Sequence, residues 1–94
     1  MAIQVERMNE IKSSCAEIQK DITSHIFYDA QVKVTGEIKN EYMVIYVKLK
    51  RPLFKGIGVN HIETALYELR RHKFTPIWVE AKGGYMVIRA EKDL

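Results

Sequence analysis

Aromatic and basic side chains are interleaved in two similar segments of the chain. The tetrapeptide Tyr-Met-Val-Ile occurs at positions 42–45 and again at 85–88. Successive residues of a strand point to opposite faces, so each copy separates its tyrosines and cations from its aliphatic residues. Aromatic rings stack on bases and cations neutralise phosphates, which together suit single-stranded nucleic acid. The residues predicted to bind nucleic acid, or a protein partner instead, are Tyr42, Tyr46, Lys48, Lys50, Arg51, Lys55, Trp78, Tyr85 and Arg89.

Other interpretations of these residues stay open. A helix or a second copy of the chain could bury them, with tyrosine hydroxyls and the indole N–H reaching water at the rim. A protein-interaction module, such as a small inhibitor, an adaptor or a homodimer, could use the same surface against protein. Added salt separates the two kinds of binding, because contacts to phosphates weaken steeply with salt. Our leading hypothesis is a small non-enzymatic module that binds nucleic acid, and a protein-interaction module is the alternative.

The residues that could support catalysis or metal binding form no recognisable motif. His25, His61 and His72 have no metal-ligand spacing with one another or with Cys15. His25 and His72 lie near the ends of predicted helices, where a cation complements the helix dipole. We therefore expect no enzymatic activity, no metal and no other cofactor.

The segment 50–59 joins the two halves of the chain and is rich in positive charge. It contains a proline and two glycines, which is typical of a hinge. The run Lys55-Gly56-Ile57-Gly58 precedes a predicted helix and could hold a phosphate through backbone N–H groups. It matches neither a GxGxxG nor a Walker pattern, so turn geometry is the simpler explanation of the glycines.

The composition indicates one small globular domain. Of the 94 residues 47% are hydrophobic, and the formal net charge of +3 slightly favours nucleic acid or an acidic partner. No apolar run has the length of a signal peptide or a membrane span. The single cysteine, Cys15, excludes an internal disulfide and lies within an apolar stripe, as expected of a core residue. We expect a cytoplasmic protein without a membrane partner.

Apolar residues spaced by three and four positions predict two helices. The first runs from Ile3 to about Phe27 and should overhang the sheet at one end, where it could contact a second copy. Its predicted buried stripe is Met8, Ile11, Cys15, Ile18, Ile22 and Ile26. The second helix should begin with Asn60 as its N-cap and Glu63 completing a capping box. Its predicted buried stripe is Ile62, Ala65, Leu66 and Leu69.

Alternation of apolar and polar residues predicts strands at 31–39, 42–50, 75–81 and 85–90, paired as two hairpins. Gly36 suggests a bulge, Pro76 belongs at a strand start or a sheet edge, and the polar tail from Glu91 should fray. The predicted helix-facing set includes Val32, Val34, Met43, Ile45, Val47, Ile77, Val79, Met86 and Ile88. The predicted second face is Lys33, Thr35, Tyr42, Val44, Tyr46, Lys48, Lys50, Trp78, Tyr85, Val87 and Arg89.

These elements predict an α+β fold of order α-β-β-α-β-β. It is a two-layer sandwich in which both helices lie on one face of a four-stranded antiparallel sheet. We interpret the chain as one domain, residues 1–94, made by internal duplication of an α-β-β unit, with halves of about 1–50 and 51–94. The sequence leaves the strand order open. Adjacent second and fourth strands would bring Tyr46, Tyr85 and Arg89 to the centre of the second face.

Overall fold

The computed structural model describes residues 2–26, 30–51 and 57–93, and the side chains from residue 5 onward within these ranges. The element order is the predicted α-β-β-α-β-β. The elements are α1 (Ala2–Ile26), β1 (Gln31–Lys39), β2 (Tyr42–Lys50), α2 (Val59–Arg71), β3 (Thr75–Lys82) and β4 (Tyr85–Asp93). The bounds of β1 and β2 are those predicted from alternation.

The four strands form one antiparallel sheet in the order β1-β2-β4-β3. The two central strands are therefore the two that carry Tyr-Met-Val-Ile. In their register Tyr46 lies opposite Arg89 and Lys50 lies opposite Tyr85. This is the arrangement that concentrates the predicted binding residues at the centre of the sheet.

Both helices pack on the same face of the sheet. Ile18 and Ile22 of α1 and Leu69 of α2 belong to one buried cluster with the inward residues of the central strands. Burial confirms the predicted inward positions Val34, Met43, Ile45, Val47 and Ile88, and it adds Leu49, Ala90 and Phe74. The face opposite the helices carries the aromatic and basic residues.

β3 differs from its prediction on the helix-facing side. Ile77 and Val79 are 50% and 40% exposed, so they do not pack under the helices as expected. β3 is an outer strand, and its register with β4 shifts between Pro76 and Trp78, which interrupts the alternation at Ile77. An outer strand has a neighbour on one side only, so its side chains receive less cover.

Gly36 marks a close helix contact and not the predicted bulge, because β1 pairs with β2 without interruption from Gln31 to Lys39. A Cβ atom added at Gly36 would lie 2.8 Å from Sγ of Cys15 and 2.9 Å from Cδ1 of Ile11. Only glycine lets α1 approach β1 this closely.

Replacing Gly36 with alanine should therefore lower the free energy of unfolding by about 1–3 kcal/mol, the usual cost of overpacking a core. Urea unfolding followed by circular dichroism measures this change. Gly84→Ala is the matched control, because its added Cβ would have no atom within 4 Å. Equal unfolding midpoints for the two variants would contradict the close packing of α1 on β1.

The beginnings of the helices differ from the predicted ones. α2 begins two residues earlier than expected, because its N-cap is Gly58 and not Asn60. The Gly58 N–H donates to Nδ1 of His61 at 3.0 Å, so His61 has the role that was predicted for Glu63. In α1, Val5 and Met8 are 59% and 51% exposed, and the buried stripe begins at Ile11. Met8 is therefore not a core residue, as expected if this end of α1 overhangs the sheet.

Strand pairing protects the end of β4, and individual residues protect the two outer edges of the sheet. β4 continues to Asp93, which pairs with Tyr42, so the tail does not fray at Glu91 as predicted. On the β1 edge the Val34 N–H donates to Oε1 of Gln19 at 2.9 Å. On the β3 edge Pro76 has no N–H to offer, which confirms its predicted edge position.

Candidate nucleic-acid interface

The centre of the open sheet face is a row of aromatic and cationic side chains. In register across β1, β2, β4 and β3, this row consists of Thr35, Tyr46, Arg89 and Trp78. The ring centroids of Tyr46 and Trp78 are 6.4 Å apart, and Cζ of Arg89 lies 5.8 Å from the centroid of Tyr46. Both distances are in the range of favourable ring and cation–π contacts.

A basic end lies on one side of this central row. Here Lys48 is opposite Lys33, and Lys50 is opposite Tyr85. Nζ of Lys48 lies 4.0 Å from the ring centroid of Tyr85, which holds the ammonium group over an aromatic face. We define the basic end as Lys33, Lys48, Lys50, Lys82 and Tyr85.

An acidic end lies on the other side of the central row. Glu37 and Glu91 flank Val44, and Asp93 is opposite Tyr42. The sheet therefore places Tyr42 away from the basic end, although the predicted binding site included Tyr42 together with Lys48 and Lys50. The open face has opposite charge at its two ends.

Arg89 is less available to an external anion than its sequence position suggested. Its guanidinium forms an ion pair with Glu91, with Nη2 and Oε2 3.2 Å apart, and its side chain is 26% exposed. Its Nε is buried and, among the described residues, lacks a hydrogen-bond partner. Lys82 is likewise paired with Glu80, with Nζ and Oε1 3.6 Å apart. The positive charge of this face is therefore supplied mainly by Lys33, Lys48 and Lys50.

Val44 shows that the face is not open along its whole length. It alternates with the inward residues Met43 and Ile45, yet it is only 1% exposed. Neighbouring side chains therefore cover the sheet at Val44, although Tyr42, Glu37 and Asp93 around it are exposed. Tyr46, Trp78 and Tyr85 are each half-buried.

Two other predicted residues lie at the hinge. Arg51 directly follows β2 and is half-buried. Lys55 and Gly56, the first half of the loop that could hold a phosphate, lie outside the described residues. The predicted site is therefore positioned by β2, β4 and β3 at the residues that the structure describes.

A second polar cluster, which sequence reasoning missed, lies between the two helices. Oδ2 of Asp21 is 2.6 Å from Nη2 of Arg71 and 2.8 Å from Nε2 of His72. The hydrogen bond from His72 and the charge of Arg71 lower the pKa of Asp21, and the hydrogen bond to Glu68 raises the pKa of Arg71. The sequence pattern that could have indicated this cluster is a carboxylate four residues before a histidine. It occurs at Asp21 and His25 and again at Glu68 and His72.

Cys15 is a core residue. It is 9% exposed within the buried cluster, and burial raises the pKa of its thiol. A thiol of this kind stays protonated and is a poor nucleophile or metal ligand. Its position supports the interpretation made from the apolar stripe.

Comparison of the chain with protein-family models, curated proteins and solved structures found no match. Among the described helices, neither has the length and apolar character needed to cross a membrane. The case for a function therefore depends on the geometry of the chain itself.

Proposed function

We propose that this protein binds single-stranded nucleic acid, with little sequence preference, through the central row and the basic end. The observation that carries this proposal is the side-by-side placement of Tyr46 and Trp78 next to lysines that project from the same face. Rings supply stacking surfaces for bases, at about 1–3 kcal/mol for each stacked base. The adjacent lysines are within reach of the phosphates that link those bases.

The charge distribution of the open face supports one position for the nucleic acid. A polyanion is attracted by the basic end and repelled by the acidic end, where Lys39 and Arg89 offset part of the charge of Glu37 and Glu91. We therefore place the nucleic-acid backbone across Lys33, Lys48 and Lys50, with bases directed toward Tyr46 and Trp78. Because every base can stack on an aromatic ring, we expect binding with little sequence preference. The protein acts as a non-enzymatic binder in this proposal, and we place it in the cytoplasm.

Fluorescence anisotropy with a labelled random-sequence single-stranded oligonucleotide tests the proposal. Three phosphate contacts, one for each of Lys33, Lys48 and Lys50, predict a fall in affinity of about 20-fold between 50 and 200 mM salt. A duplex of the same length should bind more weakly, because its base faces are already stacked. Absence of binding at 50 mM salt, or an affinity that does not respond to salt, would refute the proposal.

Light scattering on the protein alone addresses the alternative of a protein-interaction module. The nucleic-acid proposal expects a monomer that forms a larger species only when the oligonucleotide is present. A stable dimer that ignores the oligonucleotide would indicate that the aromatic row is buried against a second copy.

A further inference from the structure

The junction between α1 and α2 repeats one arrangement of ligand-type side chains. On each helix a carboxylate precedes a histidine by four residues, which puts both side chains on the same helical face. Each histidine contacts the carboxylate of the other helix. Nε2 of His72 lies 2.8 Å from Oδ2 of Asp21, and Nε2 of His25 lies 3.6 Å from Oε1 of Glu68.

We propose that this junction binds a divalent transition-metal ion, with Zn²⁺ as the best match, through Asp21, His25, Glu68 and His72. Imidazole nitrogen and carboxylate oxygen are common zinc ligands, and four of them complete a tetrahedral site. Ligand atoms of Asp21, Glu68 and His72 lie within 4.8 Å of one another. Bonds of about 2.0–2.1 Å to a tetrahedral ion require a separation of about 3.3 Å, which small side-chain rotations can produce.

Glu68 is the buried carboxylate of this cluster. Its side chain is only 2% exposed, and both described contacts with Arg71 are to Oε2. The described contact of Oε1 is with His25 at 3.6 Å, which is longer than a hydrogen bond. Arg71 balances the charge of Glu68 through Oε2, and a metal ion bound between Oε1 and His25 would add a second cationic partner at the other oxygen.

Arg71 is the internal competitor for this site. Its Nη2 lies 2.6 Å from Oδ2 of Asp21 and 2.9 Å from Oε2 of Glu68, so it bridges the two carboxylates. Its side chain is 50% exposed and is free to rotate toward solvent when an ion binds. Replacing Arg71 with glutamine should therefore tighten metal binding, whereas a purely structural ion-pair network predicts no such gain.

Isothermal titration of the tag-free protein with ZnCl₂, and the visible absorption of bound Co²⁺, test this proposal. We expect one ion to bind per chain, and His25→Ala or His72→Ala to weaken binding about tenfold or more through loss of a ligand. Ser24→Ala, an exposed neighbour, is the control and should bind like the unaltered protein. His25 is 59% exposed, so its removal leaves the fold intact.

Two results would overturn the proposal. One is no heat of binding and no Co²⁺ absorption for either the unaltered protein or Arg71→Gln. The other is equal affinity of His25→Ala and the unaltered protein. The cluster lies in the helix layer, opposite the open sheet face, so these outcomes are independent of whether oligonucleotides bind.

Discussion

Reversing the charge at both Lys48 and Lys50 should abolish detectable oligonucleotide binding. The double change Lys48→Glu with Lys50→Glu removes two phosphate contacts and adds two repulsions. At about 1 kcal/mol for each close charge pair in water, the loss is about 3 kcal/mol or more, roughly a hundredfold in affinity. Both side chains are exposed, so the fold should be preserved. Anisotropy at 50 mM salt measures the change.

The matched control reverses two charges away from the basic end. Lys12→Glu with Lys39→Glu changes the net charge equally, on the exposed side of α1 and beside the acidic end. This pair should weaken binding only slightly, through the overall field. If both double variants lose the same affinity, net charge and not the basic end accounts for binding.

Replacing Phe74 with alanine should have the largest effect on stability of any change considered. Phe74 is 2% exposed at the corner between α2 and β3, and Nζ of Lys92 lies 5.7 Å from its ring centroid. Removing a buried phenyl ring costs about 3–5 kcal/mol. A domain of this size is stable by about 5–10 kcal/mol, so the variant should be close to unfolding. Urea denaturation measures the loss.

Two variants calibrate this result. Phe74→Leu refills most of the volume and should cost about half as much or less. Tyr67→Ala removes an aromatic side chain that is 62% exposed, and it should change the free energy of unfolding by less than about 0.5 kcal/mol. A Phe74→Ala variant as stable as Tyr67→Ala would show that this corner is not packed as described.

Helices and strands could be predicted wherever the segment itself contains a clear apolar pattern or a turn. The alternation around Val32 and Val34 and the turn at Asn40 specify the first hairpin, and the structure has the predicted bounds. The predicted end of β4 was wrong, because Glu91 and Lys92 are polar and join the strand through pairing with neighbouring strands. Such a partner is not visible in the segment itself.

The candidate site could be predicted in its residues but not in its layout. The neighbours of Arg89 depend on the strand order, which no local pattern determines. That order places Tyr46 and Trp78 on either side of Arg89, and the register brings Glu91 close enough to pair with its guanidinium. The division into a basic and an acidic end likewise follows from the register.

The helix junction was missed for a different reason. The histidines have no metal-ligand spacing with one another or with Cys15, whereas the structure pairs each of His25 and His72 with a carboxylate of the other helix. The packing of α1 against α2 determines those pairs. A spacing of four residues between acid and histidine was visible in the sequence, but its meaning depends on the second helix.

Both outer edges of the sheet are protected against pairing with a strand from another copy of the chain. A strand added beside β1 would have to displace Gln19 from the Val34 N–H, and a strand added beside β3 would meet a register shift and the missing N–H of Pro76. Unprotected edges are the usual templates for fibril growth. Both edges are thus poor starting points for amyloid-like polymerisation, even when the protein is concentrated.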